Sequence, residues 1–165
     1  MDILDGIKNR RSIRKYKIVM PDEEDIQKIL EAGRWAPSGL NNQPWRFMVV
    51  KDADTVKRVS AFTKYGPIIR RAPMVIIVCM DTAVSYNRDK DVMAIGACIQ
   101  NMLLEAHSLG LGTCWLGEIL NKKEELAEFF DLSDDLEIMA VITVGYPDEE
   151  AKQPGRTPLS RLKVR

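Results

Sequence analysis

The stretch Met74-Val75-Ile76-Ile77-Val78-Cys79-Met80 is apolar at every position. An unbroken run of that length predicts a strand covered on both faces, because a half-exposed strand would alternate with polar residues. It is far too short to cross a bilayer. Working outward, residues 45–50, 113–116 and 138–144 read as further strands. Helical patterns lie between them. Asp2 is a candidate N-cap for a helix over residues 3–9, with Ile3 and Ile7 on one face. A second helix follows Pro21, opening on the acidic turn 22–25, with Ile26, Ile29, Leu30 and Gly33 on one stripe, and Pro37 ends it. Asp52 caps a helix that turns Val56, Val59 and Phe62 inward. A long helix spans about residues 90–109, with Val92, Ile95, Ile99, Met102, Leu103 and Ala106 at helical spacing and Gly110 as its stop. Asn121 with Glu124 resembles a capping box for one more helix. Strands alternating with helices predict a layered α/β or α+β domain around one sheet. The alternation leaves a doubly wound and a mixed sheet both open.

The chain has 165 residues, which corresponds to a single domain over 1–165 able to bury a core without a disulfide or metal staple. Lys+Arg and Asp+Glu balance at 24 each, which argues against a protein that coats a nucleic acid. Cys79, Cys98 and Cys114 form no CxxC pair and His107 is the single histidine, so zinc-ligand spacing is absent. The start, MDILDGIKNRR, has no apolar segment of the kind that opens a secretory signal. Reduced thiols, a cytoplasmic location and no membrane partner are expected.

Three segments can carry chemistry. Arg10-Arg11-Ser12-Ile13-Arg14 offers guanidinium forks that match phosphate oxygens, and alternation sets Arg10, Ser12 and Arg14 on one side of an extended segment. Read alone, it fits a solvated basic face better, since charge runs usually face water. The loop from Pro37 to Trp45 is stiffened at both ends by proline. Gly39 permits close backbone approach, and Ser38, Asn41, Asn42 and Gln43 can read a heteroaromatic edge. An ordinary polar loop has the same composition. Residues 110–117, GLGTCWLG, bracket a strand with glycines, so backbone N–H groups near Gly117 can face a ligand; the pattern is not a GxGxxG fingerprint. His107 reads as a surface or packing residue, and Cys114 as inert core. The tail 146–165 holds prolines, a glycine and basic residues, yet keeps Leu159, Leu162 and Val164, as a segment does when it lies along something.

In this order and spacing, RRSIRKY at 10–16, APSGLNNQPWRF at 36–47, GLGTCWLG at 110–117, GYP at 145–147 and GRTPL at 155–159 resemble the nitroreductase family of flavoproteins, nearly end to end. The resemblance implies an α+β, nitroreductase-like fold with a mixed central sheet flanked by helices, in an intertwined homodimer whose tail packs on the partner chain. It implies two non-covalently bound FMN molecules at the dimer interface. Arg10 and Arg11 would serve the phosphate, joined by Arg156, with Ser12 at the ribityl chain. Arg14 would tune the ring electrostatically from its pyrimidine side, and the chemistry needs no catalytic side chain. Pro37, Ser38, Gly39, Asn41 and Gln43 would contact the partner's flavin, and Trp115, Leu116 and Gly117 would lie against the ring. The implied activity is ping-pong hydride transfer from NADH or NADPH through FMN to a small acceptor such as a nitroaromatic or quinone. The alternatives are a specialised branch, reductive dehalogenase or flavin-fragmenting, and a flavin-binding protein without turnover. This chain is near the family's minimal length, so its substrate pocket is expected to be either open or closed only by the stretch 62–71 or 82–89.

Overall fold

The computed structural model describes residues 2–151 and 153–164. Asp2 caps helix α1 (Ile3–Asn9) by accepting from the N–H groups of Leu4 and Asp5. Helix α2 (Glu23–Arg34) leads through the polar loop to strand β1 (Trp45–Val50). Asp52 caps α3 (Ala53–Val59) through the Thr55 N–H. A short α4 (Gly66–Ile69) precedes β2 (Met74–Asp81), and α5 (Arg88–Ser108) runs on to β3 (Gly112–Leu116). Helix α6 (Lys123–Phe129), β4 (Leu136–Gly145) and a terminal turn α7 (Leu159–Leu162) complete the order.

The sheet order is β1-β2-β4-β3. All of its strand pairs are antiparallel, which excludes the doubly wound sheet that alternation had left open. Among the described residues the parallel component of the expected mixed sheet is a single bridge between Ser12 and Thr113. β2 lies between β1 and β4 and is buried from Met74 to Met80, as its unbroken apolar run requires. Side chains alternate across the sheet. Met74, Ile76, Val78 and Met80 pack with α2 and α5, whereas Val75, Ile77 and Cys79 pack with α3 and α6. No helix among the described residues is long and apolar enough to cross a membrane.

Some local expectations change. Asn121 does not cap a helix: it lies in the 3-10 segment Gly117–Lys122, donates to Glu118 at 3.2 Å, and α6 begins without a side-chain cap. The tight turn out of β3 uses the residues that the capping box would need. Ile3 and Ile7 share the apolar face of α1, but with Leu4 they are exposed on the chain, and only Gly6 is buried. Val92 is exposed as well, although Asp91 and Ala94 on either side of it are buried. Leu159, Leu162 and Val164 are exposed, so the apolar series of the tail covers nothing on its own chain.

Gly112 marks where the N-terminal segment meets β3. A Cβ there would lie 2.7 Å from Ile13 Cβ and Cγ1. Ile13 is β-branched and cannot swing away. Gly112→Ala should therefore destabilise the chain by about 1–3 kcal/mol, read as a lower urea midpoint at unchanged slope. An unaltered midpoint would show that the contact has slack.

Candidate functional site

The N-terminal segment is held on the free edge of β3. The Ile13 N–H donates to the Thr113 carbonyl at 2.9 Å, and the Lys17 N–H to the Tyr146 carbonyl at 2.9 Å. The Tyr16 hydroxyl donates to the Ile13 carbonyl and lies 2.7 Å from Thr143 Oγ1. Burial pushes the Tyr16 phenol above its ordinary value, so it serves as a neutral hydrogen-bonding anchor. Glu149 reaches back to accept from the backbone N–H groups of Arg14 and Lys15.

This anchoring gathers Arg10, Arg11, Ser12, Arg14 and Arg156 around one cleft of about 480 Å³. Arg11 joins the group that alternation had limited to Arg10, Ser12 and Arg14, because Arg10 still caps α1 and the extended course begins only after it. Among the described residues none of these arginines is in an ion pair. Among the described residues three of them donate to local carbonyls: Arg11 Nη1 to Arg10 O at 2.7 Å, Arg14 Nη1 to Ser12 O at 3.4 Å and Arg156 Nη1 to Gly155 O at 3.1 Å. Arg11 Nε is buried with no partner. Burial, then the neighbouring Arg11 and Arg156, lowers the pKa of Arg10. Guanidinium groups remain charged under such stress. Glu149 and Glu150 also line the cleft but form no ion pair with these arginines, so it suits an anion with several oxygens, which would supply the missing acceptors.

His107, set aside in the sequence, lines an adjoining cavity of about 360 Å³ that shares Arg10, Arg11 and Glu149 with the cleft. Burial and then Arg10 and Arg11 hold its imidazole below the ordinary value, favouring the neutral form. No linear spacing ties residue 107 to residue 10; the turn from α5 into β3 does. Cys114 is buried and its thiol is pushed up by burial, in keeping with inert core.

The loop after α2 forms a second group. Leu40, Asn41 and Gln43 have φ of 55°, 54° and 48°. Side chains rarely adopt the left-handed region, and clustered outliers of this kind occur at ligand clamps. A Cβ on Gly39 would lie 1.7 Å from the Tyr86 hydroxyl, so a side chain there would have to displace the Tyr86 ring. Ser38 Oγ accepts from the Gln43 N–H at 3.0 Å, while Pro37 and Asn41 are exposed. Asn42, which the resemblance did not single out, donates to Asp91 Oδ1 at 2.7 Å.

At the end of β3, Trp115 is 42% exposed and Gly117 is open, but the Leu116 side chain is 4% exposed and packed under α6. Leu116 can therefore offer a ligand only its backbone. The two stretches expected to close a pocket both lie beside these segments. Thr63 Oγ1 and the Lys64 N–H donate to Glu118, directly after Gly117. Residues 85–87 bind Asp91, which also holds the loop.

One chain does not bring the two polar groups together. The loop is fastened to Asp91 in the first turn of α5, and the arginine cleft adjoins His107 in its last turn. About 24 Å of helix separates those residues. A further cavity of about 570 Å³, bordered by Lys123, Glu128, Asp131 and Glu137, contains none of the residues that the resemblance assigns to the flavin.

The sequence profile of the nitroreductase family matches residues 7–65 and 56–146. A protein of Methanothermobacter thermautotrophicus, provisionally named NADH dehydrogenase/NAD(P)H nitroreductase, is 38% identical over 157 residues, covering 94% of this chain and 81% of that protein. A solved structure from Desulfovibrio desulfuricans, provisionally named a nitroreductase and determined in complex with FMN, is 43% identical with a TM-score of 0.95, covering 100% of this chain and 96% of the other. Another, from Clostridium acetobutylicum and provisionally named an NADH oxidase, is 37% identical with a TM-score of 0.90, covering 97% and 98%. With a profile match over most of its length and relatives this similar, the chain belongs to the nitroreductase family.

Proposed function

We propose that this chain is an FMN-dependent oxidoreductase that takes hydride from NADH or NADPH and passes it to a small acceptor such as a nitroaromatic or a quinone. The observation that carries this reading is the cleft of unpaired arginines with the orphaned Arg11 Nε. That donor set fits the phosphate end of FMN. Bound FMN supplies hydride acceptance and release, chemistry that no side chain provides. Arg10, Arg11 and Arg156 grip the phosphate and Ser12 the ribityl chain. Arg14 presents its cation to the pyrimidine edge, where it favours negative charge on the ring. Trp115 and the backbone of Leu116 and Gly117 bound the ring, so donor and acceptor use one position in turn, a ping-pong order. The protein as purified should be yellow, and NADH or NADPH should bleach it under nitrogen. Flavin that stays oxidised with both donors would reduce the reading to a flavin-binding protein.

Two substitutions separate grip from tuning. Charge-assisted bonds to phosphate imply that Arg10→Ala or Arg156→Ala weakens FMN binding by about one to two orders of magnitude. Riboflavin, which lacks the phosphate, should hardly respond. Arg14→Gln should instead lower the flavin's reduction potential in a potentiometric titration. Equal weakening of FMN and riboflavin, or a potential that does not move, removes the corresponding role.

The reading includes a homodimer in which Pro37, Ser38, Gly39, Asn41 and Gln43 reach the flavin held by the other chain. The separation of loop and cleft supports it, since about 24 Å of α5 lies between the residues that hold the one and adjoin the other. Exposed apolar residues support it too: Ile3, Leu4 and Ile7 on α1, Val92 and Met93 on α5, and Leu159, Leu162 and Val164 in the tail. Obligate homodimers often bury more than ~2,000 Å², mostly apolar. Folding, dimerisation and FMN binding are then linked, and FMN should raise the melting temperature in a concentration-dependent way. Truncation after Arg156 should lower dimer stability and flavin occupancy together. Sedimentation that found a stable monomer at full occupancy would overturn the shared site.

A further inference from the structure

Asp91 carries a carboxylate that no proposed binding role uses. It is fully buried, and among the described residues it pairs with no cation. A buried charge is tolerated only when hydrogen bonds compensate it. Here Oδ1 accepts from Asn42 Nδ2 at 2.7 Å, and Oδ2 accepts from Ser85 Oγ at 2.5 Å and from the N–H groups of Tyr86 at 3.3 Å and Asn87 at 3.4 Å. Burial opposes ionisation, yet the bonds from Ser85, Asn42, Asn87 and Tyr86 hold the carboxyl below its ordinary value.

The donors come from two segments far apart in sequence. Asn42 belongs to the strained loop, and it also donates to the Val84 carbonyl at 3.2 Å. Residues 85–87 carry Tyr86, whose hydroxyl occupies the space a side chain at Gly39 would need. Asp91 thus fixes the loop twice, directly through Asn42 and indirectly by seating Tyr86 against Gly39. Capping α5 does not explain it, because Asn87 already caps that helix by accepting from the Lys90 N–H at 3.2 Å. Left-handed backbone at Leu40, Asn41 and Gln43 persists only where its surroundings over-determine it. Asp91 is what ties those surroundings together.

We infer that Asp91 is a positioning residue for the cofactor: by holding Asn42 and the Ser85–Asn87 turn, it sets the shape in which residues 37–43 meet the flavin ring. The inference rests on the proposed role of that loop. It predicts a signature opposite to that of the phosphate grip, because the loop meets the part that FMN and riboflavin share.

The test is titration of the full-length protein with FMN and with riboflavin, followed by flavin fluorescence, together with visible circular dichroism of the bound flavin. Asp91→Asn should weaken both flavins by the same factor, about tenfold, and should alter the visible dichroism. Asn42→Ala cuts the same link from the loop side and leaves the core intact. It should reproduce most of the loss, and Asp91→Asn added to it should cost little more. Wild-type affinities and dichroism in both variants, with flavin bound by the parent, overturn the inference and leave the functional reading standing. So does a loss in Asp91→Asn that neither Asn42→Ala nor Tyr86→Ala shares, since the effect then bypasses both of its links to the loop. A parent protein that binds neither flavin overturns the functional reading itself, and the inference with it.

Discussion

Strand β2 cannot meet water on either face. Each residue from Met74 to Met80 is at most 3% exposed. Burying a large apolar side chain fully is worth about 1.5–3 kcal/mol, so two helical layers are needed, one on each side of the sheet. α2 and α5 cover one face, and α3 and α6 the other. With β2 and β4 central, the free edges belong to β1 and β3. Polar backbone without a sheet partner gathers there. The segment from Ser12 uses the edge of β3, and the Pro37–Pro44 loop enters the edge strand β1. Both candidate binding segments lie where the core leaves hydrogen-bonding capacity unspent.

α5 has a second consequence. To cover its face of the sheet it runs for 21 residues, and it holds the loop by one end and adjoins the arginine cleft by the other. The isolated chain is left with two unrelieved costs: clustered cations that repel one another, and backbone held in the left-handed region. Natural sequences depart from local consistency mainly at functional sites. An anion in the cleft relieves the first cost, and contact with a ligand or partner surface is what the second is suited to. Both sit in one framework without disturbing the core, because neither contributes side chains to it.

What was legible in the sequence followed from periodicity and from local chemistry. The apolar run at 74–80 gave a doubly covered strand, and Asp2 and Asp52 cap as their positions suggested. Pairing direction was not legible, since a helix between two strands permits either a crossover or a return. The Asn121 capping box failed because the turn out of β3 took those residues. In the site, RRSIRKY and the polar loop stood out through residue types concentrated over a few positions. Asp91 and His107 did not, because each is one residue on a long helix whose partners lie tens of residues away. Leu116 was legible as part of a motif, but the direction of its side chain was set by β3 pairing with β4.

The charge arrangement follows the same geometry. The chain is neutral overall, yet its acids and bases are not spread evenly in their pairing. Glu31 pairs with Arg34, Asp81 with Arg46, and Glu137 with both Arg88 and Lys123, while the arginines of the cleft have no acid partner among the described residues. Asp91 is the converse, a buried acid with no base paired to it among the described residues. The two would neutralise each other if they met, and α5 keeps them at opposite ends. Its dipole suits that placement, with the positive N-terminal end beside Asp91 and the negative C-terminal end beside His107 and the arginines. The helix that covers the core therefore also stabilises, within one chain, a buried acid fastened to a loop and a set of bases with no ion-pair partner among the described residues.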